Sequence, residues 1–472
     1  NSQTGLSLTT AQAALNSNDL SFDPWATVSP AWLGTRLVNH GRSTSNQGQI
    51  SGLLSGPVFT LPAGDASTSI AATGTLSQQN AVSTVNTVTS RAAISRDIGT
   101  IRINGDLPIA SRKNHFLSFL EKLDANVNGA VSQVSHFGTL GTVGGGVTWA
   151  PLTWIQLPLS ITEQTEAPAA SSLVAPTIET PNVTTYDYVR GESVQVTTVS
   201  GGNRNLRSAD RHEISFGAIL SPPFLDGSRL HINYVHDNTH NPVLSLPTAT
   251  AAIQDAFPDN YQRDADGALE RVDLRPVNAD YEKRTEWNTT FSLSRPFGNE
   301  PDKAHHKGRP GNTTQGRYYV VLTQVWRLND TVRLRSGLPA IDLLNGGTIG
   351  GLGGKPRHEV ELQAGAYRNG IGIRLDGKWQ SGTSTLGSTS AGSLYFSSLA
   401  TLDFSVFVTL GDVPRWKHSE WAQNFRIMLS LDNVSNNRIH VHNGTGATPA
   451  GYQPAFMEPM GRTIGPSLRK SP

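Results

Sequence analysis

Cysteine is absent from all 472 residues, which removes disulfides and thiolate metal sites and is compatible with an oxidising envelope compartment. Charge is scarce as well. Asp, Glu, Lys and Arg make up only 16%, and a formal net charge of +1 gives no general electrostatic pull toward nucleic acid or anionic lipid. No apolar run approaches the roughly 18 residues that a spanning helix needs, so a helical membrane protein is excluded, whereas a strand-built one is not. The chain opens Asn1-Ser2-Gln3, without an initiator Met or a signal peptide, as expected of a mature, processed or truncated chain. What is abundant is Gly, at 46 residues, together with Ser, Thr and Asn. That composition favours strands and turns over helices.

The stretch Ser200–Pro242 states the architectural rule. Ile214, Phe216, Ala218 and Leu220 share one face of a first arm, and Leu230, Ile232 and Tyr234 share one face of a second. A side-chain period of two makes both arms strands. A compact turn, Ser221–Gly227, joins them, while long polar segments flank the pair. Fifteen segments read this way: Gly48–Gly56, Ala66–Leu76, Gly99–Leu107, Asp124–His136, Val143–Ala150, Ile155–Glu163, Arg211–Leu220, Ser228–His236, Arg284–Ser294, Arg317–Trp326, His358–Tyr367, Ile371–Gln380, Ser398–Leu410, Gln423–Asp432 and Arg462–Lys470. Their lengths, about 8 to 13 residues, suit tilted transmembrane strands.

Short connections such as Pro57–Asp65, Pro151–Trp154, Arg368–Gly370 and Gly411–Ala422 fall at every second junction. Most of the intervening ones are long, among them Gln164–Asp210, Asp237–Lys283, Arg327–Arg357 and Asn433–Gly461. This alternation predicts an all-β fold, an antiparallel meander with one rim in the periplasm and the other outside the cell. Trp149, Trp154, Trp416 and Trp421 near short turns, with Trp287, Tyr318, Tyr319, Trp326 and Trp379 near strand ends, fit interfacial aromatic girdles. Residues 1–47 read as an extracellular-loop-like N-terminal segment with short helices at Thr10–Leu15 and Pro30–Asn39, and 48–472 as barrel wall. A helical pattern also covers His115–Leu123.

Several motifs resemble those of the TonB-dependent receptors of the Gram-negative outer membrane, especially the transporters of sphingomonads and their relatives. Gly201-Gly202-Asn203-Arg204-Asn205-Leu206-Arg207 is similar to the family's G-G-N-P-x-L-x-P-E loop, with Arg204 in place of proline and Ser208-Ala209 in place of Pro-Glu. Thr165–Ala169 resembles the R-A-P-S segment, with Glu166 at the arginine position. Leu429–Asn436 resembles L-x-x-x-N-L-F-N, and Gly461-Arg462-Thr463 resembles the start of the closing strand. The family's terminal aromatic is replaced by Ser471-Pro472, and Gly465-Pro466 lies inside the last strand. Large plugged transporters have about 22 strands, so the resemblance implies that the first strand here is number eight and that a plug, a TonB box and about seven strands would precede it.

The resemblance implies active uptake of a scarce nutrient, such as a ferric chelate or an oligosaccharide, with this chain supplying wall and substrate-capturing loops. Its partners would be outer-membrane lipid, the TonB energy-coupling complex acting through a plug outside this chain, and a missing N-terminal part or another chain completing the barrel. Tyr186, Tyr188 and Arg190, or Tyr261 and Arg263, are candidates to stack on a sugar or hold an acidic chelate. The alternative is a non-transporting surface binding or structural module. No cofactor, metal site or catalytic residue is expected: His305-His306 and His440-x-His442 lack accompanying carboxylates, and Asp264-x-Asp266-Gly267 reads as a turn rather than a calcium loop. Gly350–Pro356 departs from the phosphate-binding loop at both ends and reads as flexible.

Overall fold

The computed structural model describes residues 2–6, 14, 21, 23, 36–85, 88–246, 249, 251–298, 315–349, 354–387, 392–457 and 460–470. A short strand, β1 (Ser2–Leu6), precedes the wall. The wall comprises β2 (Arg36–Leu61), β3 (Gly64–Val85), β4 (Val88–Ser111), β5 (Lys122–Val134), β6 (Gly138–Leu152), β7 (Ile155–Glu166), β8 (Ala209–Leu220) and β9 (Ser228–His240). It continues through β10 (Tyr281–Phe297), β11 (Gly316–Arg333), β12 (His358–Arg368), β13 (Ile371–Gln380), β14 (Leu399–Thr409), β15 (Phe425–Asp432) and β16 (Thr463–Lys470). All fifteen expected wall strands are present, each antiparallel to its neighbour along the chain.

The register sorts side chains by face. Leu159, Phe216, Tyr234, Trp287, Trp326 and His358 form one continuous row across six strands. Ile371, Val408, Ile427 and Leu468 form another near the opposite rim. These rows are not a dry core: Leu159 is 47% exposed and Leu468 70%. The other face is polar, with ion pairs between Arg211 and Asp237 at 2.6 Å, Arg327 and Glu359 at 3.1 Å, and Arg374 and Asp376 at 2.6 Å. Apolar residues turned outward and charges turned inward are what a sheet in lipid demands. Replacing Leu159 with Lys is therefore expected to cost about 2–4 kcal/mol of barrel stability in bilayers. Urea-gradient unfolding in vesicles checks this, and an unchanged midpoint contradicts a lipid-facing Leu159.

Local chemistry explains the finer geometry. Asn369-Gly370 joins β12 to β13 with φ of 51° and 82°, the paired left-handed values of a tight hairpin. In β6, Gly146 lies so close to its neighbours that a Cβ would sit 2.6 Å from Asn126 Oδ1 and 2.7 Å from the Leu159 carbonyl. The glycine run Gly144–Gly146 thus makes room for the polar face of β5 and the backbone of β7.

Two features depart from the sequence reading. Residues 36–47, expected as loop and partly as helix, belong to β2, because pairing from His40 with Thr84 to Gln47 with Ser77 supplies a ladder without any apolar face. Most of Thr10–Leu15 and of Pro30–Asn39 lies outside the described residues. The helix expected over His115–Leu123 shrinks to one tight turn, Ser118–Leu120, since His115, Leu117 and Glu121 take φ of 55°, 47° and 59°. Positive φ at three positions is incompatible with a right-handed helix.

The sheet does not close on itself among the described residues. On the free side of β2, among the described residues, only Arg36–His40 is paired, by β1, and the edge from Gly41 to Leu61 has no partner. The opposite edge strand, β16, pairs with β15 alone among the described residues and includes Pro466 opposite Leu429, a position where a missing donor is tolerated.

A loop cap and its exposed tyrosine tip

The largest buried hydrophobic cluster among the described residues lies mainly in the long loops and takes in Val332 at the end of β11. The segment between β7 and β8 carries a hairpin, Ile178–Asp187 and Glu192–Ser200, and the segment between β9 and β10 carries Tyr261–Arg263 and Leu269–Asp273. The two segments share one sheet, because Arg271, Val272 and Asp273 pair in parallel with Thr197, Thr198 and Val199. Beneath it Val196, Phe257, Tyr261, Leu269, Val272, Val332, Leu334 and Leu343 are buried together. Fully burying a side chain such as Phe257 contributes about 1.5–3 kcal/mol.

The Gly-Gly-Asn motif ties this cap down. A Cβ on Gly202 would come within 2.5 Å of the Leu173 backbone. Gly202 N donates to the Ala175 carbonyl and Asn203 N to that of Ser172, both at 2.8 Å, while Asn203 Nδ2 donates to the Pro276 carbonyl in the other loop at 2.8 Å. Of the neighbouring Thr165–Ala169 segment, the Pro168 carbonyl accepts from Arg96 at 2.8 Å. The motifs that carry the family resemblance therefore act here as backbone fasteners.

The hairpin tip presents Tyr186 and Tyr188, 45% and 36% exposed, with ring centroids 4.9 Å apart in an edge-to-face arrangement. Arg190 lies beside them, 3.3 Å from Glu192. Asp187, between the tyrosines, points inward and has no exposed surface. Its Oδ1 accepts from Val189 N at 3.0 Å, and its two carboxylate oxygens take a fork from Arg263 at 2.6 and 2.8 Å. Gln254, also buried, accepts from Tyr188 N at 3.0 Å and donates to the Tyr186 carbonyl at 3.3 Å. Hydrogen bonding from Arg263 holds the Asp187 carboxyl below its ordinary range against the opposing effect of burial.

The five residues singled out in the sequence thus divide into two groups. Tyr186, Tyr188 and Arg190 form an exposed tip. Tyr261 and Arg263, expected to face a ligand, support it instead: Tyr261 is 4% exposed, with burial pushing its hydroxyl up to about 12, and Arg263 is committed to Asp187. The supports Asp187 and Gln254 were missed, and no local pattern marks them.

Other motifs resolve as structure. Asp264 Oδ1 accepts from Asp266 N and Ala268 N at 3.0 and 2.8 Å, closing a turn through Gly267. His442 stacks on Tyr395, with centroids 5.2 Å apart. His305-His306 lies outside the described residues, and among those described no group of three metal-binding side chains occurs. Most of Gly350–Pro356 is likewise outside them, but Lys355 reaches Asp330 at 2.8 Å.

A lipid-facing meander crowned by a loop cap defines the class, a transmembrane β-barrel wall. The particular likeness is to the barrel of TonB-dependent receptors. The structure superposes on the siderophore receptor PirA from Acinetobacter baumannii with a TM-score of 0.55 at 10% identity, covering 92% of this chain and 59% of that one. For a mutant of the ferric enterobactin receptor PfeA from Pseudomonas aeruginosa the TM-score is 0.51 at 13% identity, with 93% and 55% covered. The chain therefore spans little more than half the length of these receptors. No protein-family model matches the sequence. No curated protein matches it either.

Proposed function

We propose that this chain is wall and outer loops of an outer-membrane TonB-dependent importer of a scarce nutrient, a ferric chelate or an oligosaccharide among the candidates. The observation that carries this reading is the inverted polarity of the wall beneath a built cap: apolar rows outward, ion pairs inward, and a rigid aromatic tip on the long-loop rim. In this reading residues 48–472 belong to the barrel and its loops, and the bare edge of β2 receives further strands, since each unpaired edge group would cost several kcal/mol in lipid. Energy would come from an inner-membrane TonB complex pulling on a plug outside this chain. The mature protein would reside in the bacterial outer membrane and perform no covalent chemistry on what it carries.

The tip residues Tyr186, Tyr188 and Arg190 capture substrate. Two rigid aromatic faces and a guanidinium give a contact surface of low entropic cost, of the type that dominates recognition hot spots. Replacing all three with Ala is expected to weaken uptake at limiting substrate by tenfold or more, about 1.4 kcal/mol of lost binding, while heat-resistant barrel migration on gels stays normal. The test is growth of a strain carrying the variant on ferric chelates under iron limitation and on oligosaccharides as sole carbon source. If deleting the whole gene leaves every uptake rate unchanged, the importer reading fails and the non-transporting surface module takes its place.

A further inference from the structure

We propose that the turn joining β14 to β15 docks anionic phospholipid headgroups in the periplasmic leaflet of the outer membrane, an inference that rests on the membrane orientation proposed above. At this rim Pro62-Ala63, Thr153-Trp154 and Asn369-Gly370 each suffice to reverse the chain, yet this turn runs from Leu410 to Asn424. It is built rather than loose. Leu410 and Ala422 are buried, and two short helical turns, Leu410–Asp412 and Glu420–Ala422, frame it. Trp416 N donates to the Val413 carbonyl and Ser419 N to that of Trp416, both at 2.9 Å, and Gln423 Nε2 donates to the Lys417 carbonyl at 2.7 Å. Tyr367 Oη on β12 donates to Asp412 Oδ2 at 2.7 Å, tethering the turn to the neighbouring hairpin.

This framework displays two tryptophans and unpaired cations. Trp416 and Trp421 have ring centroids 6.3 Å apart, and Trp421 is 57% exposed. Arg415 and Lys417 flank Trp416, and among the described residues neither has a carboxylate within 4.0 Å. The strand end alongside adds Lys470, paired in register with Phe425 on the same face as Ile427 and Leu468. Within the turn the acids are Asp412, which accepts from Tyr367, and Glu420. The lipid-facing row Ile371, Val408, Ile427 and Leu468 ends just before this turn, which places the turn against the end of the apolar band. Indole rings favour the level of the headgroups, and Lys and Arg placed there attract anionic phosphodiesters. An acidic periplasmic protein would also answer the charge, but not the continuity with the apolar band.

The test is quenching of tryptophan fluorescence in the intact protein, purified from its own membranes and reconstituted in phosphatidylcholine vesicles. These carry a minor fraction of either brominated phosphatidylglycerol or brominated phosphatidylcholine. Brominated phosphatidylglycerol is expected to quench more strongly, by at least about twofold, with the excess shrinking at high salt. W416F/W421F should remove most of the excess, R415Q/K417Q should equalise the two lipids, and R415K/K417R should preserve the difference. Equal quenching in the parent protein, or an excess that survives R415Q/K417Q, overturns the proposal and leaves the barrel reading standing. Quenching by neither lipid overturns both.

Discussion

Replacing Arg263 with Ala is expected to destabilise the loop cap by about 3–5 kcal/mol, because it strands a charged carboxylate that has no exposure to solvent. Asp187 has no exposed surface, and Arg263 is its fork partner at 2.6 and 2.8 Å. The remaining donors, Val189 N and Arg190 N, reach only Oδ1, so Oδ2 loses its contact entirely. Hydrogen exchange across residues 178–200 reads the effect, which should stay local because the wall strands retain their ladders. The double variant D187N/R263A should recover part of the loss, since the amide carries no charge to desolvate. A single variant that exchanges no faster than the parent would show that the fork does not hold the hairpin.

The same pair sets a pH dependence. A carboxyl whose folded pKa is depressed, as Arg263 depresses that of Asp187, contributes stability that is complete above its unfolded value of about 4 and drains away as pH falls through the folded value. The parent cap should therefore loosen only in acid, and the Arg263 variant should lose that acid transition. Exchange measured from neutral pH down to about 3 distinguishes the two.

The second large effect is expected at Lys355. Asp330, with no exposed surface, sits near the top of β11 and takes Lys355 Nζ at 2.8 Å, while its Oδ1 has no partner among the described residues. Glu282 adds a second carboxylate 3.8 Å from the same ammonium. Changing Lys355 to Met leaves two neighbouring acids facing each other, one wholly buried, and should also cost about 3–5 kcal/mol. The loop between β11 and β12 is the part that should open: Leu343 N donates to the Asp330 carbonyl and Lys355 N to that of Leu343, both at 2.9 Å. Accelerated proteolysis between residues 334 and 357, rescued by adding D330N, is the expected signature. Resistance equal to the parent would mean that backbone pairing alone holds the loop.

The wall was legible in the sequence because lipid and lumen impose opposite chemistry on alternate residues, as in Ile214, Phe216, Ile232 and Tyr234 against Glu213, Ser215 and Asn233. Where that pressure ends, the signal ends too. The polar stretch 36–47 of β2 is a strand through pairing with β3, and nothing in its own composition distinguishes it from loop. The pattern at His115–Leu123 misled for the opposite reason, since a periodic set of apolar residues was overruled by the backbone turns at His115, Leu117 and Glu121. At the cap, residue type alone did not separate surface from support. Tyr186 and Tyr261 are equivalent as letters, and only the pairing of segments far apart in the chain makes one a surface and the other a support.

The parallel seam between Arg271–Asp273 and Thr197–Val199 has a mechanical consequence. Loops that arise from different hairpins would ordinarily swing apart as separate flaps. Stitched along that seam, the two loops are coupled, so strain at the hairpin tip is passed to the rim at β10 as well as at β7.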